Sequence, residues 1–206
     1  MLNKELEEYV EREIIPRYEH FDDAHKVDHA RTVIAQSMEL ASRLKDQCLD
    51  TDMVYAIAAY HDTGLVEGRE VHHLASGRII RGDATLRNWF SEEQIETMAQ
   101  AAEDHRASSD HEPRSIYGRI VAEADRIIDG ETIIRRTIQY GLSHYPELDR
   151  EGHWQRMCDH ISEKYDYGGY LKLWIPESPN AERLEEFRQN LRRPGWLRDR
   201  FDRLFP

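Results

Sequence analysis

With 206 residues the chain has the length of one domain, enough to bury a sizeable core without staples. Its 40 acidic and 28 basic residues give a formal charge of −12, which disfavours general binding to nucleic-acid backbones and docking on anionic membranes. Two cysteines, Cys48 and Cys158, exclude a disulfide framework or a zinc ribbon and fit reduced thiols in the cytoplasm, and no apolar run is long enough to span a bilayer.

Apolar residues recur with a helical period along nearly the whole chain, so the expected fold is all-α. A first helix is expected from about Leu2 to Pro16. A second runs from about His25 to Lys45, with Val27, Ala30, Ile34, Ala41 and Leu44 near one face. Asp50-Thr51 read as the boundary before a third helix, about Asp52 to Asp62. Its segment MVYAIAAY is apolar nearly all round and belongs inside a protein. Gly64 is expected as its left-handed terminator. A fourth helix spans about Val71 to Arg81, and Ser91 with Gln94 forms a capping box for a fifth, reaching about Arg106. Pro113 opens a sixth, to about Asp129, and two or three more fill Glu131 to Asp166. Tyr167-Gly168-Gly169-Tyr170 breaks the period, and LKLWIPESPN reads as an irregular crossing. A charged helix from about Ala181 to Leu204, with Leu184, Phe187 and Leu191 as a narrow apolar stripe, closes the chain. The whole reads as a single domain over 1–206, with a core of about 21–130 and a helical extension, 131–206, packed on it.

Eleven histidines stand out, several of them near aspartates in apolar surroundings. His61 and Asp62 end the most apolar helix, where an ionised carboxylate is costly unless paired or metal-bound. Taken alone, a capping aspartate beside a core histidine explains this pair equally well. But His29 lies on the second helix, His72 and His73 open the fourth, and His105 follows Ala101 and Ala102 by one turn on the fifth. Asp125 borders Val121 and Ile128 on the sixth. Five helices that each present such a group are hard to explain by packing alone.

The segments AHKVDHARTV, AIAAYHDTGL, VHHLASGRII, AAEDHRAS and IVAEADRII resemble, in order and spacing, the HD superfamily of metal-dependent phosphohydrolases. The resemblance covers about Phe21 to Asp129 and implies an all-helical HD-type domain with a metal at its centre. Carried over by position, it implies that His29, His61, Asp62 and Asp125 hold a first metal. In the dinuclear branch Asp62 would bridge to a second metal completed by His72 and His105. His72 fits better than its neighbour His73, because small Ser76 and Gly77 and then Ile79 and Ile80 follow it as in the family pattern; His73 stays as the alternative.

Imidazole and carboxylate suit Mn, Fe, Ni, Co or Zn without choosing among them. The implied activity is that of a soluble, cytoplasmic phosphohydrolase or phosphodiesterase, cleaving a nucleotide or other small phosphoester with metal-activated water. Two other readings remain open: a di-iron oxygenase on the same fold, and a regulatory module whose metal is structural. Asp62 would be catalytic as well as a ligand. Lys26, Arg106 and Arg126 lie beside the implied ligands and could bind the substrate phosphate, with Arg114, Arg135 and Arg136 as further cations. His25 is either a general acid/base or an outer partner of His29. Glu67, Glu70 and Glu123 read as solvated. Tyr165, Tyr167, Tyr170 and Trp174 read as packing for the C-terminal helices, with nucleobase stacking as the alternative.

Overall fold

The structure, a computed structural model, describes residues 2–22, 25–109 and 111–206. The described residues form helices and connecting segments, with no strand among them. They fall into two compact units: 1–125 together with 174–178, and 126–173 together with 179–206. No helix of the described residues is long and apolar enough to cross a membrane.

The first unit is built around α3 (Thr51–Tyr60), every residue of which from Met53 to Tyr60 is buried. Full burial of Met53, Val54 and Ile57 contributes about 1.5–3 kcal/mol each. Asp50 caps the helix by accepting from the N–H groups of Asp52 and Met53. Around α3 pack α2 (Val27–Arg43), α5 (Glu92–Asp104) and α6 (Ile116–Asp125), and α4 (His72–Gly82) lies against α5. The expected capping box of Ser91 and Gln94 is formed in both directions.

Five local expectations are corrected, the last of them in the second unit. The N-terminal α-helix, α1 (Lys4–Tyr9), does not continue to Pro16. It gives way to a π-helical turn, Val10–Ile14, and then a 3-10 helix, Ile15–His20. Pro16 has no N–H for an α-helical bond, and its ring would clash with the preceding turn. The rephasing still buries Leu6, Val10, Ile14, Ile15 and Tyr18.

Gly64 does not have a positive φ. Its role is close approach: a Cβ there would collide with the His72 carbonyl oxygen, and its N–H donates to Ser76 Oγ at 2.9 Å. Helix α6 stops at Asp125, four residues early, because the Asp129 carboxylate is engaged as the N-cap of the next helix, accepting from Thr132 N. Glu123 is fully buried, not solvated. Its Oε2 accepts from the Trp174 N–H at 2.8 Å and fastens the segment Trp174–Ser178 to the first unit, with Ile175 buried in the core.

In the second unit α7 (Gly130–His144) packs against α8 (Arg150–Tyr165) and α10 (Trp196–Leu204), and α9 (Asn180–Leu191) against α10. The expected single charged helix over 181–204 is therefore two. Pro194 lacks the N–H to continue the first, and Gly195 turns the chain at φ +77°. Tyr165 packs edge-on against Phe187, whereas Tyr167 is exposed beneath Arg188 and Arg192.

Candidate metal centre

The end of α3 is shaped so that two consecutive side chains can face one point. Three successive carbonyls there each accept from a side chain. His61 Nδ1 donates to Ala58 O at 2.8 Å, the Tyr18 hydroxyl to Ala59 O at 2.8 Å, and Thr63 Oγ1 to Tyr60 O at 2.7 Å. The backbone leaves the helix at Asp62, whose φ and ψ are −108° and 4°. His61 and Asp62 thus meet α2 on one side and α4 and α5 on the other.

Around Asp62 the donors fall into two groups, one for each carboxylate oxygen. Oδ2 lies 3.3 Å from His29 Nε2 and 3.2 Å from His61 Nε2. Asp125 Oδ1 closes this group at 3.2 Å from His29 Nε2 and 3.8 Å from His61 Nε2. Oδ1 of Asp62 lies 3.4 Å from His72 Nε2 and 3.3 Å from His105 Nε2. Ligand bonds of about 2.1 Å set neighbouring donors about 3.0 Å apart in an octahedron and about 3.4 Å apart in a tetrahedron, so both groups have the spacing of a coordination shell.

The chemistry of the donors makes the same point. Nδ1 of His61, His72 and His105 each donates to the carbonyl three residues earlier, on Ala58, Arg69 and Ala102. With the proton held there, Nε2 presents a lone pair. Yet His29 Nε2 and His61 Nε2 lie 3.2 Å apart, as do His72 Nε2 and His105 Nε2. The lone pairs of His72 and His105 cannot bond to one another, so a cation is the fitting occupant of that group; in the other, the His61 lone pair faces His29 beside the oxygens of Asp62 and Asp125, a donor set that suits a cation as well. The residues present therefore suit divalent metal.

The electrostatics of the metal-free protein follow from the count of carboxylates. Burial works against a charge on His29, but the hydrogen bonds and attraction of Asp125 and Asp62 push its pKa up to about 9. For His72, burial and then repulsion from His105 push it down to about 4. Burial would raise Asp62, but His61, His105 and His29 hold it well below the usual carboxylate range. Asp125 is likewise held low, against burial, chiefly by His29. The side chains of His29, His61, Asp62 and His105 are at most 5 % exposed and that of Asp125 is 26 % exposed, so Asp125 marks the open edge.

All six residues implied as ligands thus come together, and it is His72, not His73, whose Nε2 turns to Asp62. His73 lines a cavity of about 720 Å³ with Arg106, Ser108, Ser109 and His111. Arg106 also donates through Nη1 to the Glu70 carbonyl at 2.9 Å. His25 stands edge-on to the His29 ring, and its Nδ1 donates to Asp22 Oδ1 at 2.6 Å. Lys26 is exposed at the start of α2. Arg126 is buried, and its carbonyl accepts from Asn180 Nδ2. Arg114 is committed elsewhere: its backbone N–H and guanidinium hold the buried carboxylate of Asp104, and Nη2 also reaches Glu103. Asp22 and Tyr18 were not visible as site-supporting residues in the sequence, because each acts through a partner at least three positions away.

Residues 27–128 match the HD domain family model. The chain belongs to the HD superfamily. HD domains bind divalent metals, and the match supports a metal-dependent hydrolase type of function for the cluster. Among solved structures, the chain is similar to a predicted HD superfamily hydrolase from an uncultured Thermotogales bacterium. The two are 22% identical, with 77% of this chain and 84% of that chain covered and a TM-score of 0.48. Comparison with curated proteins finds no match.

Proposed function

We propose that this HD protein is a phosphohydrolase that cleaves a nucleotide or other small phosphoester at a centre of two divalent ions. The observation that carries the reading is the pair of facing imidazole couples around one buried carboxylate, His29 with His61 on Asp62 Oδ2 and His72 with His105 on Asp62 Oδ1. His29, His61, Asp62 and Asp125 would hold one ion and Asp62, His72 and His105 the other. When bound, such ions supply Lewis acidity toward phosphate and make hydroxide available near neutral pH.

The remaining steps belong to the chain's own groups. Asp62 is buried and faced by two imidazoles at each oxygen, which keeps the two oxygens directed to opposite groups. Asp22 accepts the Nδ1–H of His25 and orients the ring, so that its doubly protonated form would give the Nε2 proton to the leaving alkoxide and be left neutral with Nδ1–H still on Asp22. Arg106, with the hydroxyls of Ser108 and Ser109 and with His111, offers donors to an anionic part of the substrate, and Lys26, exposed at the start of α2, adds a further cation. Glu103 and Glu112 on the same cavity are already paired with Arg81, Arg114 and Arg119, so the acids of the wall are offset.

The test is phosphate or nucleoside release from a panel of nitrophenyl and nucleotide esters by Mn- or Co-loaded protein without oxygen. Turnover is expected. Activity confined to iron and O₂, with no ester cleavage, would establish the oxygenase instead, and metal binding without either activity would establish the regulatory module.

A further inference from the structure

The histidine and aspartate of the centre are held by a residue outside the segment that matches the family model. Tyr18 sits in the 3-10 helix Ile15–His20, nine residues before the match begins at residue 27. It is fully buried. Its hydroxyl has two partners: it donates to Ala59 O at 2.8 Å and accepts from Asp62 N–H at 3.3 Å. Its ring packs against Phe21 at 5.4 Å and lies 6.3 Å from the His61 ring.

Those two bonds bracket the doublet. Ala59 O is a carbonyl at the end of α3, and Asp62 N–H belongs to the residue where the backbone leaves the helix. One hydroxyl therefore spans the step between them and fixes the peptide that carries the Asp62 side chain. Asp62 has the most demanding position in the cluster, since its two oxygens must reach four imidazoles, at 3.2–3.4 Å each. A small rotation of its backbone moves both oxygens together, toward one group and away from the other.

We propose that Tyr18 is a positioning residue of the metal centre, which sets the backbone of Asp62 so that both carboxylate oxygens are presented at once. It touches no donor atom of the cluster and acts through Ala59 and Asp62. Outer partners of this kind change metal affinity by about 10–100-fold when removed. The N-terminal segment, with its π-helical turn and 3-10 helix, is thereby part of the working centre: the turn and Pro16 bring Tyr18 under the end of α3 in place of a continued α-helix.

The proposal rests on the metal-centre reading, and the experiment separates the two. Metal-free wild-type protein and Tyr18→Phe are titrated with Co(II), following the visible absorption of the bound ion and the stoichiometry by metal analysis. Melting temperatures of the metal-free forms are measured in parallel, and Thr63→Val, which removes the neighbouring bond to Tyr60 O but none to Asp62, serves as comparison. Tyr18→Phe should bind about tenfold more weakly or worse, with an altered Co(II) spectrum, and Thr63→Val should bind like wild type even where it melts lower. Equal affinity and spectrum in wild type and Tyr18→Phe overturn the proposal, as does equal weakening by Thr63→Val. Failure of wild type to bind metal overturns the metal-centre reading instead. Should Tyr18→Phe fail to fold, hydrogen exchange of the Asp62 amide in wild type decides: protection equal to that of the α3 interior is expected, and rapid exchange refutes the bond on which the proposal stands.

Discussion

The two halves of the candidate centre share one aspartate and differ in everything that surrounds it. On the Oδ2 side two imidazoles meet two carboxylates, and His29 is pushed up to about 9. On the Oδ1 side two imidazoles share a single carboxylate oxygen, and His72 is pushed down to about 4. Burial acts the same way on both histidines, so the opposite directions come from the two carboxylates beside His29 and, at His72, from repulsion by His105 against a single carboxylate. A cation entering the first half therefore meets two negative charges and must displace a proton. One entering the second meets lone pairs already bare, but less charge. The first half should fill first and more tightly, and the second should depend on Asp62 being shared.

That dependence sets the largest effect. Asp62→Ala removes an oxygen from each half at once, and metal analysis should find neither ion retained. Release of nitrophenol from a nitrophenyl phosphoester should fall by orders of magnitude while the helical circular dichroism persists. Turnover at the wild-type rate in metal-replete buffer would refute the shared carboxylate. Next come the single-sided variants. Wild-type protein should hold about two ions per chain, as a two-metal hydrolytic site requires. His105→Ala should lose only the second, leaving a protein with about one ion and most of its activity gone. His29→Ala should weaken the first and, through Asp62, the second as well. Equal behaviour of the two variants would mean that the halves are not ordered as their charges imply.

The opposite shifts also predict opposite pH dependences for the metal-free protein. His29 has a folded pKa of about 9, above its unfolded value. Its contribution to stability is full below about pH 6.5 and is lost as pH rises through 9, on the order of 3 kcal/mol in all. His72, at about 4, lies below its unfolded value, so its contribution is present above about pH 6.5 and lost as pH falls toward 4. Denaturant melts of the metal-free protein between pH 7 and 9.5 should show falling stability, and His29→Gln should flatten that limb. With metal present, the first ion should release a proton at pH 7.5 that calorimetry in buffers of different ionisation enthalpy would detect. A flat limb in wild type would remove the electrostatic distinction between the halves.

How far the sequence revealed this centre depends on the range over which each signal acts. The helical class, the buried α3 and the Ser91-Gln94 box were legible because periodicity and capping are local. The six donors were legible through their family pattern, which is a matter of order and spacing. What escaped were the groups that hold those donors in place. Tyr18 reaches Asp62 across 44 positions, and Glu123 meets Trp174 across 51. No local periodicity encodes such pairs, and Glu123 read as solvated because a glutamate on a helix usually is. The early stop of α6 at Asp125 was hidden for a related reason: the Asp129 cap competes with a pattern that itself continues to Ile128.

The smallest expected effect tests the register on which the second half depends. His72 and His73 are neighbours on the first turn of α4, and successive helical side chains point about 100° apart, so only one can face Asp62. His72 does, at 3.4 Å, while His73 lines the cavity beside Arg106. The His73 Nδ1 is buried with no hydrogen-bond partner among the described residues, so truncating the ring removes a polar atom that is already unsatisfied. His73→Ala should keep both ions and melt within about 3 °C of wild type, the shift of a loss below about 1 kcal/mol for a chain of this size. Any change should appear in KM, if the substrate extends into that cavity, with the turnover number preserved. His72→Ala should lose the second ion. The reverse outcome, an ion lost with His73→Ala and kept with His72→Ala, would shift the helix by one residue and detach the second half of the centre from Asp62.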